Sequence, residues 1–183
     1  MYQDEVVLVD SGNHAIGTME KLEAHVRGCL HRAFSVFVFN EHHELLLQRR
    51  ALCKYHSGGL WSNTCCSHPL PYEPTPVAAQ RRLYQEMGLY VEVMHIFDVT
   101  YRARVENGLI EHEYDQIFIG YSNLTPKPNQ HEVDAWRYAT RSQIATEISL
   151  QAVDYTPWFK LILPGMLAHL EKLTPPLSEY ARP

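Results

Sequence analysis

The segment from Trp61 to Leu89 restricts this chain more than any other, because it sets an extended stretch directly against a helix with marked ends. Thr75 supplies a capping hydroxyl, Pro76 has the fixed φ that suits a first helical position, Val77 to Met87 contains no breaker, and Gly88 stops the run. The spacing predicts a helix over Val77 to Met87. Upstream, Cys66 and His68 lie one residue apart, and Pro69 disfavours helical backbone at His68, so both side chains point to one face of an extended strand. On the helix, Arg82 and Glu86 are four apart and share a face. Each pair alone has an ordinary reading. A Cys-x-His is usually an inert thiol beside a surface imidazole, and an i,i+4 Arg/Glu pair is usually a surface ion pair worth about 0.3 to 0.5 kcal/mol.

The rest of the composition sets the class. A chain of 183 residues fits one domain that buries about 70% of its unfolded surface, so a single domain over residues 1–183 is expected. With a formal net charge of -5 and 45% hydrophobic residues, the chain shows neither the basic field of a nucleic-acid binder nor the composition of a disordered protein. A small-molecule partner is expected, with no nucleic acid and no membrane, and a monomer is the default. Cys29, Cys53, Cys65 and Cys66 lack zinc-ribbon spacing, and the adjacent pair is badly placed for a structural disulfide. No stretch approaches about 18 uninterrupted apolar residues, and Met1-Tyr-Gln-Asp-Glu has no basic lead into an apolar run. A soluble, cytoplasmic protein is expected.

Glu5 to Val9 reads as a short strand entering a turn at Asp10-Ser-Gly-Asn13, and Met19 to Ala24 as one or two helical turns. The run Ala33 to Phe39 and the triplet Leu45-Leu-Leu47 read as two buried antiparallel strands. Leu89 to Val99 and Tyr101 to Val105 look extended, and Asn107-Gly108 marks a hairpin into Ile110 to Tyr121. Thr140-Arg-Ser-Gln143 matches a capping box opening a helix to Ser149, and Thr156-Pro157 opens another to about Lys172. Residues 174–183 form a proline-rich tail expected to be flexible. Strands and helices are interspersed without regular alternation, so α+β with a mixed sheet flanked by helices is expected.

Ser67, five residues, Glu73, seven residues and then Arg81-Arg82-Leu83-Tyr84-Gln85-Glu86-Met87-Gly88-Leu89 resembles the Nudix box. Three positions depart from it. Ser67 replaces the opening glycine, Arg82 a glutamate, and Gln85 the first of two paired glutamates. Nudix hydrolases cluster carboxylates there to bind several metals and activate water, so with Glu86 alone left at the main position the changes argue against the rival reading, a pyrophosphohydrolase of a nucleotide or small diphosphate.

The resemblance sharpens to the type I isopentenyl diphosphate isomerases, a Nudix-fold family, and covers nearly the whole chain. Gly17-Thr-Met-Glu-Lys21 with His25 and His31, Arg49-Arg50-Ala-Leu-Cys-Lys54, Trp61-Ser-Asn-Thr-Cys-Cys66-Ser-His68-Pro, Tyr101-Arg-Ala, Glu111-His-Glu113 and Thr156-Pro-Trp158 resemble its motifs in order. A Nudix-like fold and the interconversion of isopentenyl and dimethylallyl diphosphate are what that resemblance implies. It implies Cys66 and Glu113 as the two proton-transfer groups, with Glu113 favoured as donor, and Tyr101 and Trp158 supporting them. Lys21, Arg50, Lys54 and Arg82 are implied for the diphosphate, together with a Mg²⁺ on Glu86 and the Cys66 carbonyl. His25, His31, His68, Glu111 and Glu113 are implied as a six-coordinate site for Mn²⁺, Mg²⁺ or Zn²⁺. A two-residue turn at Asn107-Gly108 would set Arg102 opposite Glu113 and Arg104 opposite Glu111, whereas the resemblance requires a loop of odd length that puts Tyr101 on the glutamates' face. The odd register is the expectation adopted, on functional grounds.

Overall fold

The spine of the sheet is β3 (His31–Phe39), whose buried residues alternate between two packed faces. The computed structural model describes residues 5–172, so the expected tail at 174–183 lies outside the described residues. Along one edge β3 runs parallel to β8 (Ile110–Tyr121), from His31 opposite Glu113 to Phe39 opposite Tyr121. Its other edge is shared. There it meets β1 (Glu5–Val9) at His31, β6 (Cys65–Ser67) at Phe34 to Val36, and β4 (Leu45–Arg50) at Phe39, all antiparallel. β1 carries β2 (Ala15–Glu20), β4 carries β5 (Trp61–Ser62) and β9 (Val133–Ala139), and β7 (Val93–Arg104) pairs with β8. The sheet is mixed and the architecture α+β, as expected.

Each face has its own core. Phe34, Val36, Val38 and Phe118 pack beneath α2 (Thr75–Met87) through Ala78, Ala79, Leu83 and Met87. Phe37, Leu47, Ile117 and Ile119 pack beneath α4 (Pro157–Lys172) through Trp158, Phe159, Ile162 and Met166, with Ile144 of α3 (Arg141–Ser149) at the margin. Each large side chain buried this way contributes about 1.5 to 3 kcal/mol.

Several boundaries differ from the sequence reading. Met19 and Glu20 pair with Val6 and Glu5 as strand, so α1 (Lys21–Arg27) starts two residues later than expected, with the Glu20 carboxylate accepting from the Leu22 and Glu23 amides at 2.9 and 2.8 Å. Thr75 is not a cap. It is the first residue of α2, and the Pro74 carbonyl accepts from the Val77 and Ala78 amides instead. Leu89 to Glu92 precede the strand, which is continuous from Val93 to Arg104. The capping box at Thr140 and Gln143 forms as read.

The hairpin has the odd register. A single 3₁₀ turn at Glu106–Gly108 closes between Val105 and Leu109, whose amide and carbonyl bond at 3.0 Å, and Tyr101 faces Glu113 while Ala103 faces Glu111. Arg102 and Arg104 therefore stand opposite His112 and Ile110.

Candidate active site

Four elements bring five ligand-type side chains to one point. His25 comes from α1, His31 opens β3, His68 follows β6, and Glu111 and Glu113 share a face of β8; one donor atom of each lies within 4.8 Å of the others. His25 Nδ1 is 2.6 Å from the Lys21 carbonyl and His31 Nδ1 is 2.9 Å from that of Cys29, contacts that an N–H makes, so both imidazoles turn Nε2 inward. There His25 Nε2 meets Glu111 Oε2 at 3.0 Å, and His31 Nε2 meets His68 Nε2 at 3.2 Å. Burial pushes His25 down, and Glu111 outweighs it and holds that imidazole above its ordinary value. Burial pushes His68 down to about 4, which keeps it neutral. Burial raises both glutamates, yet the adjacent imidazoles of His25 and His56 hold Glu111 well below its usual range, and those of His31 and His68 hold Glu113 below it.

His68, Glu111 and Glu113 of the cluster line one wall of a cleft. The Tyr101 hydroxyl donates to Glu113 Oε2, and His68 Nε2 lies 2.9 Å from Oε1 of the same carboxylate. Cys66 enters from β6, opposite Ser35 on β3, and burial pushes its thiol up to about 12. Its Sγ is 3.9 Å from Ser62 Oγ, which accepts from Trp158 Nε1 at 3.0 Å. Trp158 sits in the first turn of α4, whose entry is held by Thr156 N bonding the Trp61 carbonyl at 2.9 Å. Trp158 therefore lines the cleft with Cys66 and packs in the core.

Lys21, Arg50, Lys54 and Arg82 line the same cleft. Lys21 lies 5.2 Å over the Tyr55 ring, and the Arg50 guanidinium 5.1 Å over that of Trp158. Arg82 Nη2 bonds Glu86 Oε1 at 2.6 Å and Glu132 Oε1 at 3.1 Å, while Lys54 pairs with Glu132 Oε2. Gln48 donates to the buried Glu86 Oε2 at 3.1 Å. Gln85, at a lost Nudix carboxylate, accepts from Arg81 at 3.1 Å and from Arg82 at 3.2 Å.

Residues 30–159 match the NUDIX domain family. The isopentenyl-diphosphate Delta-isomerase of Pectobacterium atrosepticum is 50% identical over 157 residues, 86% of this chain and 88% of that one. That of Burkholderia multivorans is 47% identical, over 88% of this chain and 92% of its own. This chain belongs to the isopentenyl-diphosphate Delta-isomerase family. Solved structures agree on the fold: a Deinococcus radiodurans protein has a TM-score of 0.73 at 14% identity over 87% of this chain and 98% of its own, and a MutT Nudix hydrolase from Burkholderia pseudomallei 0.58 at 16% over 79% and 98%.

The isomerase chain suits a divalent cation at the cluster. With its Nδ1–H on the Lys21 carbonyl, His25 turns an Nε2 lone pair to Glu111 Oε2, which is unfavourable unless a cation or proton lies between them, and neither atom has a hydrogen-bond partner. Three imidazoles with two carboxylates form a donor set for a transition-series or similar divalent ion.

Three residues of this site escaped the sequence reading. Glu132 ties Lys54 to Arg82 from the loop before β9. Asp115, fully buried on the face of Glu113, accepts from Ser35 Oγ at 2.8 Å, and burial pushes its carboxyl well above the usual range. His56 bonds Glu111. Its place two residues beyond the Arg49–Lys54 motif was the one available signal.

Proposed function

We propose that this isomerase interconverts isopentenyl and dimethylallyl diphosphate in the cleft through a tertiary carbocation, with Cys66 and Glu113 moving the two protons. The observation that carries this reading is the meeting of Cys66, Glu113 and Trp158 in one cleft with four cationic side chains. An unactivated alkene is a very weak base, so its protonation needs a positioned acid and walls that do not attack the cation. The Trp158 π face is such a wall, with a cation–π attraction of about 2 kcal/mol when desolvated. One proton is added at the terminal alkene carbon, and one leaves the carbon next to that bearing the diphosphate. The reaction is reversible, so Cys66 and Glu113 each serve as donor in one direction and acceptor in the other, and Tyr101 holds Glu113 in place for both.

Lys21, Arg50, Lys54 and Arg82 are assigned to the diphosphate, which displaces Glu132 as the counter-charge of Lys54 and Arg82. By resemblance, Glu86 and the Cys66 carbonyl would hold a Mg²⁺ together with the substrate diphosphate, and His25, His31, His68, Glu111 and Glu113 would hold Mn²⁺, Mg²⁺ or Zn²⁺. When bound, the cluster ion supplies positive charge that fixes Glu113 and lowers its basicity. The four thiols are free, which suits the cytoplasm.

Incubation with isopentenyl diphosphate and Mg²⁺ in D₂O, followed by NMR, tests the reading. Deuterated allylic diphosphate with no phosphate release is expected. Phosphate or monophosphate without allylic product would establish hydrolysis instead.

A further inference from the structure

His56 touches three functional groups at once. Its Nε2 is 2.9 Å from Glu111 Oε1, its ring meets the Trp158 ring edge-on at 5.8 Å and 88°, and its carbonyl accepts from Arg50 Nη2 at 3.3 Å. It is 5% exposed. It is not itself among the five converging donors, so its contact with Glu111 comes from outside the cluster.

We infer that His56 is a positioning residue of the metal cluster: its Nε2–H holds Glu111 Oε1, which leaves Oε2 as the single oxygen turned inward beside His25. This rests on the reading that the cluster holds a metal. The two oxygens of Glu111 are already divided, Oε1 to His56 at 2.9 Å and Oε2 to His25 at 3.0 Å. A carboxylate held by one oxygen presents the other in a fixed direction, and such outer contacts tune metal affinity.

The backbone around His56 is built for that contact. The Glu106 carboxylate accepts from the Ser57 amide at 3.0 Å and its hydroxyl at 3.3 Å, and Asn107 Nδ2 donates to the Tyr55 carbonyl at 3.1 Å. Both come from the turn that leads into β8. Thus the turn that fixes the register of Glu111 also fixes the loop of His56. Ser57 has φ 52, a left-handed backbone that is strained for a serine and that the two Glu106 bonds hold.

The test compares wild type with His56→Leu, His56→Gln and His56→Asn, each stripped of metal and titrated with Mn²⁺ and Zn²⁺ against a competing chelator. Glutamine places an N–H near the histidine Nε2, whereas the asparagine amide falls short. The expected Kd is about 10- to 100-fold weaker for His56→Leu and His56→Asn, and within a few-fold of wild type for His56→Gln, with apo melting unchanged between Gln and Asn. Equal Kd for wild type, Leu and Asn overturns the inference. Should His56→Leu not fold, the Gln and Asn pair decides alone, and equal affinity in those two overturns it. A wild-type protein that binds neither ion overturns the metal centre itself and the inference with it.

Discussion

Glu113 is held from two sides, by the Tyr101 hydroxyl on Oε2 and by His68 on Oε1. A hydrogen bond to a charged group is worth about 1.5 to 3 kcal/mol, so Tyr101→Phe, which keeps the buried ring, is expected to lower kcat by about 10- to 100-fold. KM should stay near wild type, since Tyr101 meets the carboxylate and not the diphosphate; steady-state kinetics read the split. A weakened KM with unchanged kcat would contradict that placement. Cys66→Ala and Glu113→Gln remove a group the proposed reaction cannot replace. Turnover should fall to background in both with circular dichroism unchanged, and full activity in either would end the mechanism.

Among the elements, α2 carries Arg82 and Glu86, and its end at Gly88 is tightly built. Gly88 has φ +67, and a Cβ there would stand 2.6 Å from the carbonyl oxygen of Lys127, in a segment whose Lys127 and Asn129 amides donate to the Met87 and Glu86 carbonyls at 2.8 and 2.9 Å. Gly88→Ala combines left-handed strain of about 1 to 2 kcal/mol with a clash, so a loss of about 2 kcal/mol or more in urea unfolding is expected. The junction of β9 with α3 gives a pH-dependent case. Both terminal nitrogens of Arg137 bond Glu147, at 2.7 and 2.6 Å, and hold its carboxyl below the ordinary 4.5. A depressed carboxylate adds stability above its unfolded value and loses it as pH falls through the folded one. Glu147→Gln should therefore cost about 1 kcal/mol at pH 7, and the difference from wild type should shrink as pH falls below 4.5 and vanish once the folded carboxyl is protonated. These elements also explain what was legible. β3, the β7–β8 hairpin, α3 and α4 carry aromatic runs, a turn pair or caps, and were read from local chemistry. β2 is almost wholly exposed and β9 mostly half-buried, so neither shows an apolar alternation to read. The cluster residues lie up to 88 positions apart, His25 to Glu113, and only the family resemblance joined them. His56 and Glu132 sit in loops, where no periodicity marks a functional side chain.

For the molecule as a whole, the cluster is a joint. The segment β1–β2–α1 meets β3 at a single strand pair, Leu8 with His31, aided by Val9 N on the Leu30 carbonyl and by Arg32 bonding Asn13 at 2.7 and 2.6 Å. Helix α1 has only seven residues, too few for independent stability, and its one fully buried polar side chain is His25. Without a cation, His25 meets Glu111 as acceptor against acceptor unless it takes up a proton. A divalent ion there would tie α1, β3, β8 and the segment after β6 together. Ligand binding to the folded state alone stabilises by RT ln(1 + [L]/Kd), about 2.7 kcal/mol at 100 times Kd, or about 5 to 10 °C in Tm for a chain of this size. Chelation of the metal-loaded protein should reverse that rise. Because α1 depends on the joint while α2 packs on its own core, amide exchange should accelerate over Lys21–Arg27 and stay slow over Thr75–Met87. A uniform change over both helices, or none in either, would show that the cluster does not hold the N-terminal segment to the sheet.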